Sequence, residues 1–243
     1  MKKILYILLL SLLSLPAIKA QPVPGLQVGA GIGSYSVEGL KAIQQILLDE
    51  FPVEGQINSL FPPYYIYNIN MFLPFGERIR AGVVYRFGST GARASYRDYS
   101  GQITADQLLT MHQLGANVSY RLFYANYLEV RAGGSLMLGY TNDEISRDIL
   151  ITGYYLPQHL GLRAFSMVAE PGLEFLYHFR TYSFGIEAGY QYDFGGRFRI
   201  KDRQGEFFYN PNDNTHPVMT DISGFRAGIR FIIWFRNKEE MAL

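Results

Sequence analysis

Polar and apolar residues alternate along most of this chain with a period of two. Successive side chains of a strand point to opposite faces, so each alternating run predicts one strand with two chemically different surfaces. Eight runs follow one another. The first sets Leu26, Val28, Ala30 and Ile32 against Gln27, Gly29, Gly31 and Gly33. The second sets Tyr65, Tyr67, Ile69, Met71 and Leu73 against Asn68 and Asn70. The third sets Ile79, Ala81, Val83, Tyr85 and Phe87 against Arg78, Arg80, Gly82, Arg86 and Gly88. In the fourth, Leu114 to Leu122 alternate with Gln113, Gly115, Asn117, Ser119 and Arg121. In the fifth, Leu128, Val130, Ala132, Leu136 and Leu138 oppose Glu129, Arg131, Gly133, Ser135 and Gly139. The sixth (Phe165 to Phe179) carries Ser166, Glu170, Gly172, Glu174 and His178 on its polar face, and the seventh (Tyr182 to Phe194) carries Ser183, Gly185, Glu187, Gly189, Gln191 and Asp193. The eighth sets Phe225, Ala227, Ile229, Phe231, Ile233 and Phe235 against Arg226, Gly228 and Arg230.

No apolar face carries a charge, and each run is about ten residues long, the length a tilted strand needs to cross a bilayer. Tyr65, Phe87, Phe123, Tyr140, Phe165, Phe179, Tyr182, Phe194 and Phe235 stand at the ends of these faces, where a membrane interface would lie. The links alternate too. Pro74–Glu77, Tyr124–Asn126 and Arg180–Thr181 are short, whereas Tyr35–Pro63, Ser89–Thr110, Thr141–Leu162 and Gly195–Ser223 are long. Lipid cannot satisfy a free strand edge, and an even strand number closes with both ends on one side. The pattern therefore predicts an all-β fold, an eight-stranded antiparallel transmembrane up-and-down β-barrel with short periplasmic turns and long extracellular loops. A soluble lipocalin-like barrel also has eight strands but places its apolar residues inside. Here the polar face is small and Gly-rich, and the large aromatics sit on the other face.

Met1 to Ala20 reads as a signal peptide: Lys2 and Lys3, the mostly apolar Ile4 to Leu15, then Pro16 and a small Ala20 before Gln21. A membrane anchor is the alternative, but the apolar run falls short of the ~20 residues of a helical span. The expected organisation is a signal peptide over 1–20 and a barrel domain over 21–243, with strands within about 25–235 and a short tail 236–243. The 19 Tyr, 17 Phe and 25 Gly suit aromatic girdles and a crowded lumen. Cleavage leaves 19 basic against 21 acidic residues, which is no polycationic surface for nucleic acid. There is no Cys, and so no disulfide, thiolate metal site, catalytic thiol or lipid-modified N-terminal Cys.

The last run has a polar Arg226, Gly228 two residues on, then alternating Phe231, Ile233 and Phe235. Together with the eight runs and the alternating link lengths, it resembles the small eight-stranded outer-membrane barrels, the family that includes the OmpA transmembrane domain, OmpX and many "porin family" outer-membrane β-barrel proteins. The resemblance spans about Gly25 to Phe235. It implies an address in the outer membrane of a Gram-negative bacterium and contact with outer-membrane lipid. It also implies insertion by the barrel-assembly machinery, with Arg226, Gly228, Phe231, Ile233 and Phe235 as the signal. The chain departs from the usual pattern by continuing eight residues past Phe235. The architecture itself hosts unrelated functions.

Eight strands enclose a space that side chains just fill. The polar faces are expected to send Arg78, Arg80, Arg86, Arg121, Arg131, Arg226 and Arg230 into it, against Glu129, Glu170, Glu174, Glu187 and Asp193. An unpaired buried charge costs several kcal/mol, so these groups are expected to pair and plug the lumen. Arg78, Arg80 and Arg121 would meet Glu129 and Glu174 near the short-turn end. A charged conduction path or catalytic carboxylates are the other readings. His112, His159, His178 and His216 form no metal-binding spacing. The deacylase-like His-x-Ser and a Gly-x-Ser-x-Gly are both missing. Asp143, Glu144 and Asp148 read as solvated, or as a divalent-cation site. Leu40, Ile43, Leu47 and Phe51 predict an amphipathic helix over 38–51 that packs on the barrel's own loops, with the membrane surface, a cap on the barrel or a partner as alternatives. Lys201–Arg203 and Asn210–Asn214 read as a solvated polar hairpin. The expected function is that of a monomeric, non-enzymatic barrel with no catalytic, cofactor-binding or metal-binding residues, no cofactor and no nucleic-acid partner. It would serve envelope integrity or meet an extracellular partner through its loops. A narrow porin and a membrane-embedded lipid-modifying enzyme are the alternatives.

Overall fold

The structure, a computed structural model, describes residues 24–49, 56–99, 101–151, 154–179, 181–203, 206–210 and 213–235. The expected signal peptide and the tail beyond Phe235 lie outside the described residues. The elements are β1 (Gly25–Gly33), α1 (Glu38–Asp49), β2 (Gln56–Leu60), β3 (Tyr64–Phe75), β4 (Ile79–Arg97), β5 (Gly101–Ala125), β6 (Leu128–Ile151), β7 (Tyr154–Phe179), β8 (Tyr182–Asp193), β9 (Arg199–Ile200), β10 (Tyr209–Asn210), β11 (Asp213–Pro217) and β12 (Gly224–Trp234). Strands β1, β3, β4, β5, β6, β7, β8 and β12 close into a ring in that order, and every pairing is antiparallel. Closure leaves no edge in the ring, which removes the liability of unpaired backbone. The β5–β6 turn is tight because Asn126 adopts φ 55°, a left-handed conformation that Asn tolerates. At the same end Phe235 N donates to Pro24 O at 3.0 Å, so the two described termini meet there.

Two of the four long connections are not loops. Ser89–Thr110 and Thr141–Leu162 lie almost entirely within strands, which stretches β4, β5, β6 and β7 to 19, 25, 24 and 26 residues. The alternation persists through these stretches but changes sides. On β5 the inward face reads Ile103, Ala105, Gln107, Leu109 and Met111 in its upper half, mostly apolar, then Gln113, Asn117 and Ser119 below. The outward face reads Thr104, Asp106, Leu108 and Thr110 above, mostly polar, then Leu114, Ala116, Val118 and Tyr120 below. The lower half thus has the apolar exterior that a bilayer requires, and the upper half has the apolar interior that water requires. The changeover is marked outside by Tyr85, Phe87, His112, Tyr140 and Phe165, whose neighbouring rings lie 5.0–6.5 Å apart.

The upper half has its own core. Helix α1 lies across the mouth because Leu40, Ile43 and Leu47 recur at helical spacing, with Glu38 favourable in the first turn. Leu40 and Ile43 pack with Leu109, Met111, Ile145 and Leu162, and with Phe198, Val218 and Ile222 from the β8–β12 connection. Leu47 and Leu48 reach Ala94, Ile103 and Ala105. Gln44 Nε2 donates to Ala105 O at 3.1 Å and anchors the helix to β5. The β8–β12 connection does carry a small polar hairpin, β10–β11, but its flanks are core. Phe51, the expected end of the helix, lies outside the described residues.

The inversion sets an expected result. Ile186 is 58% exposed at the middle of β8, between Phe175 and Ile229 on the neighbouring strands. Ile186→Arg should lower barrel stability by about 2–4 kcal/mol in urea unfolding from vesicles. Thr104→Arg, on the upper outward face, should be nearly neutral. Equal costs at the two positions would contradict the assignment of the lower band to lipid.

Candidate functional site

The inward side chains of the lower half fill it in layers. Nearest the short turns, Phe72, Leu176 and Ile232 form an apolar floor with Trp234 packed against it. On this floor sits Glu129, which is 1% exposed. Its carboxylate accepts from Arg80 Nη2, Arg121 Nε and Arg131 Nη1, each at 2.6 Å. One carboxylate faces three guanidinium groups, and the surplus positive charge is spread over other acceptors. Arg131 Nη2 donates to Arg78 O and Ser119 O at 2.9 and 3.0 Å. Arg80 lies over the Trp234 ring, 4.7 Å from its centroid.

Higher in the lumen the charges balance. Arg86 grips Glu170 with two hydrogen bonds of 2.5 and 2.7 Å, and Arg226 pairs with the same carboxylate. Arg230 bridges Glu174, at 2.7 Å, and Glu187. Asn68 Nδ2 donates to Glu187 at 3.1 Å. Val84, Met137 and Val168 form an apolar layer among these pairs. The voids left here measure about 10 and 20 Å³, each about the size of one water.

Two side chains expected in the network are not in it. Arg78 sits at the turn, exposed, and donates to Tyr120 Oη at 3.0 Å; it has the lumen parity but lies where the barrel ends. Asp193, at the upper end of β8, accepts from Thr220 Oγ1 at 2.5 Å and from the backbone N–H of Ile222 and Gly195 at 3.1 and 3.0 Å. It ties the β8–β12 connection down instead of meeting an Arg. Glu174 meets Arg230, not Arg78, Arg80 or Arg121. In the expected assembly signal, Arg226 and Gly228 face the lumen while Phe231, Ile233 and Phe235 face outward.

His178 belongs to the network although only its place on a polar face hinted at it. Its Nε2 lies 2.7 Å from Glu129 Oε2 and its Nδ1 2.7 Å from Ser183 Oγ. Ser183, His178 and Glu129 thus stand in the order of a hydrolytic triad. The arrangement is structural. Ser183 is fully buried, its Oγ accepts from Trp234 Nε1 at 2.9 Å, and Glu129 is saturated by arginines. A nucleophile needs room for a substrate carbonyl, and the tightly packed floor leaves none.

In the upper half, strand alternation separates Asp143, facing in, from Glu144, facing out, so the two cannot share a cation. Asp143 is also not solvated: it is fully buried, with one oxygen accepting from Gln107 Nε2 at 2.8 Å. Burial, partly offset by that hydrogen bond, pushes its carboxyl up to about 7, with Glu144 raising it further and Lys201 opposing. A carboxyl raised in the fold binds more protons there than in the unfolded chain. Stability of the upper half should therefore fall as pH rises from about 4 to about 7 and level off above. Amide exchange over β6 residues 143–149, corrected for intrinsic rates, should show this slope. Asp143→Asn should abolish it, and a slope that survives the substitution would place its origin elsewhere.

No protein-family model matches the chain, and no curated protein matches it. Solved structures with a similar outline include Ail, the attachment invasion locus protein of Yersinia pestis (13% identity, 88% of this chain and 99% of that one, TM-score 0.40). Neisserial surface protein A is similar at 11% identity, over 87% of this chain and 95% of that one, with a TM-score of 0.42. A major outer membrane protein of Thermus thermophilus matches at 14% identity, over 86% and 99%, with a TM-score of 0.41. Likeness at this level carries nothing about function.

Proposed function

We propose that this chain is an outer-membrane barrel with a closed lumen, whose work is done by the folded module it holds outside the bilayer. The observation that carries this reading is the change of sides along single continuous strands. A barrel of lipid-crossing strands continues, without a hinge, into a water-type barrel with its own core. From His112 to Gly101 the rise is roughly 35 Å along the strand. At the far end the β6–β7 hairpin exposes Leu150, Tyr154, Tyr155 and Leu156. Exposed Tyr and Leu on a rigid support are suited to contact with another macromolecule. Inserting this barrel is work for the barrel-assembly machinery, and the outward alternation of β12 is the feature it would read. The ring closes within one chain, so a monomer suffices.

Two measurements test the reading. Planar-bilayer recordings of the purified barrel should show no stable openings, because the charges of the lumen are paired and its voids hold about one water each. Steady conductance would favour a narrow channel instead. The chain has no Cys, so introduced thiols report cleanly. Tyr155→Cys should react with a membrane-impermeant maleimide on intact cells, and Asn126→Cys should not. The reverse pattern would overturn the orientation.

A further inference from the structure

We propose that the outer surface just above the aromatic rim carries a binding site for the phosphate group of an outer-leaflet lipid. The inference rests on the membrane placement proposed above. Along the outward face of β7 the apolar band ends at Phe165, 73% exposed, and the next outward residue is Arg163. β9 pairs with β7 at this level, in the register Arg163↔Arg199. Arg197 stands two residues before Arg199 and is exposed on the same side, while Phe198 between them points into the core. Three guanidinium groups thus line one open groove of about 560 Å³ whose lower wall is Phe165.

Like charges directly opposite each other on paired strands repel. Among the described residues no carboxylate pairs with any of the three. Glu144, further up β6, is taken by Lys201 at 3.0 Å and by Asn142 at 3.1 Å, and Glu206 lies with Arg203 at 3.5 Å. Two of the three, Arg197 and Arg199, are nevertheless held in place. The Phe207 ring lies 4.9 Å from the Arg199 guanidinium and 5.7 Å from that of Arg197. The backbone before Arg197 turns sharply at Gly195, φ 81°, and a Cβ at Gly196 would collide with Phe165 O. Only Gly allows this approach, which brings Arg197 against β7. Clustered guanidinium groups without a carboxylate partner recognise a phosphate by paired charge-assisted hydrogen bonds. The groove opens downward onto Phe165 and the apolar band, so the ligand that fills both parts has a phosphate above and acyl chains below.

The test uses the full barrel in phosphatidylcholine vesicles holding a phosphorylated glycolipid, its dephosphorylated form, or neither. Heat-modifiable gel mobility scores insertion, and so tests the barrel reading on its own. Thermal unfolding and co-purified lipid score the site. The wild type should be stabilised by the phosphorylated glycolipid and should retain it, while the dephosphorylated form does neither. The triple variant Arg163→Gln, Arg197→Gln, Arg199→Gln should lose about ten-fold or more of the retained lipid. Arg163→Gln alone relieves the repulsion with Arg199. It should unfold no earlier than wild type in phosphatidylcholine alone, yet earlier than wild type when the phosphorylated glycolipid is present. Equal retention by wild type and variants, in barrels that insert normally, overturns the proposal. Displacement of the lipid by millimolar inorganic phosphate overturns the lipid as the source and assigns the groove to free phosphate.

Discussion

Glu129→Gln is expected to lower barrel stability by about 3–5 kcal/mol, with little change of shape. The substitution keeps the size of the side chain and removes its charge. Arg80, Arg121 and Arg131 would then lose the one carboxylate that all three contact, and the new amide N–H groups would face guanidinium donors that need acceptors. The comparison is Asp106→Asn on the upper outward face. Asp106 holds Arg93 by two hydrogen bonds of 2.5 and 2.7 Å, but Arg93 is well exposed, so the loss should stay under about 1 kcal/mol. Trp234 is the only Trp of the chain and lies against Arg80 and Ser183, so its fluorescence during urea unfolding from vesicles reports this layer directly. Charges of an open, solvated pore would tolerate the change. An unaltered unfolding curve for Glu129→Gln would therefore remove the plugged-lumen account.

The faces of the strands were legible in the sequence because parity is a local property. Alternation alone puts Arg80, Arg86, Glu129, Glu170 and Arg230 on the lumen side. Depth is not local, since it depends on strand tilt and on the register between strands. Arg78 has the right parity and sits beyond the end of the barrel. Asp193 has the right parity and sits where the mouth begins, within reach of Thr220 and the Ile222 N–H. The partner of Glu174 is likewise decided across the lumen, where Arg230 of β12 meets it. The upper strands were missed for a different reason. Ser89–Thr110 keeps a period of two, but its apolar members are small or sparse (Ala92, Ala94, Ile103, Ala105, Leu109) and lie on the other parity. A search for apolar outward faces reads that stretch as loop. The arginine groove was out of reach altogether, because Arg163 and Arg199 are brought together only by the short β7–β9 pairing.

Phe198→Ala should open the upper half and leave the lower half intact. Phe198 has no strand partner pattern of its own and belongs to a connection between β8 and β9, yet it is fully buried at the centre of the upper core. Its backbone is fixed on both sides: its N–H donates to Val218 O at 3.0 Å and its carbonyl accepts from Phe208 N at 2.9 Å. The ring therefore has little freedom to withdraw, and the neighbours Leu40, Ile145, Leu162 and Ile222 come from a helix, two strands and a loop that cannot close in together. Emptying such a site costs about 3–5 kcal/mol. The lower half feels none of this, since its stability comes from the closed backbone ladder, the lipid-facing band and the lumen ion pairs. Hydrogen exchange separates the two. Amides at 103–109 and 143–149 should exchange roughly a hundred-fold faster or more in the variant, while those at 114–119 keep their protection. Equal acceleration along the whole of β5 would mean that the long strands unfold as one unit, and that the outer module has no stability of its own to lose. With the split outcome, the variant keeps its lower barrel but presents Tyr154, Tyr155 and Leu156 on a loosened support. On the function proposed above, a partner that docks on these residues should then lose affinity without any change at the residues it touches.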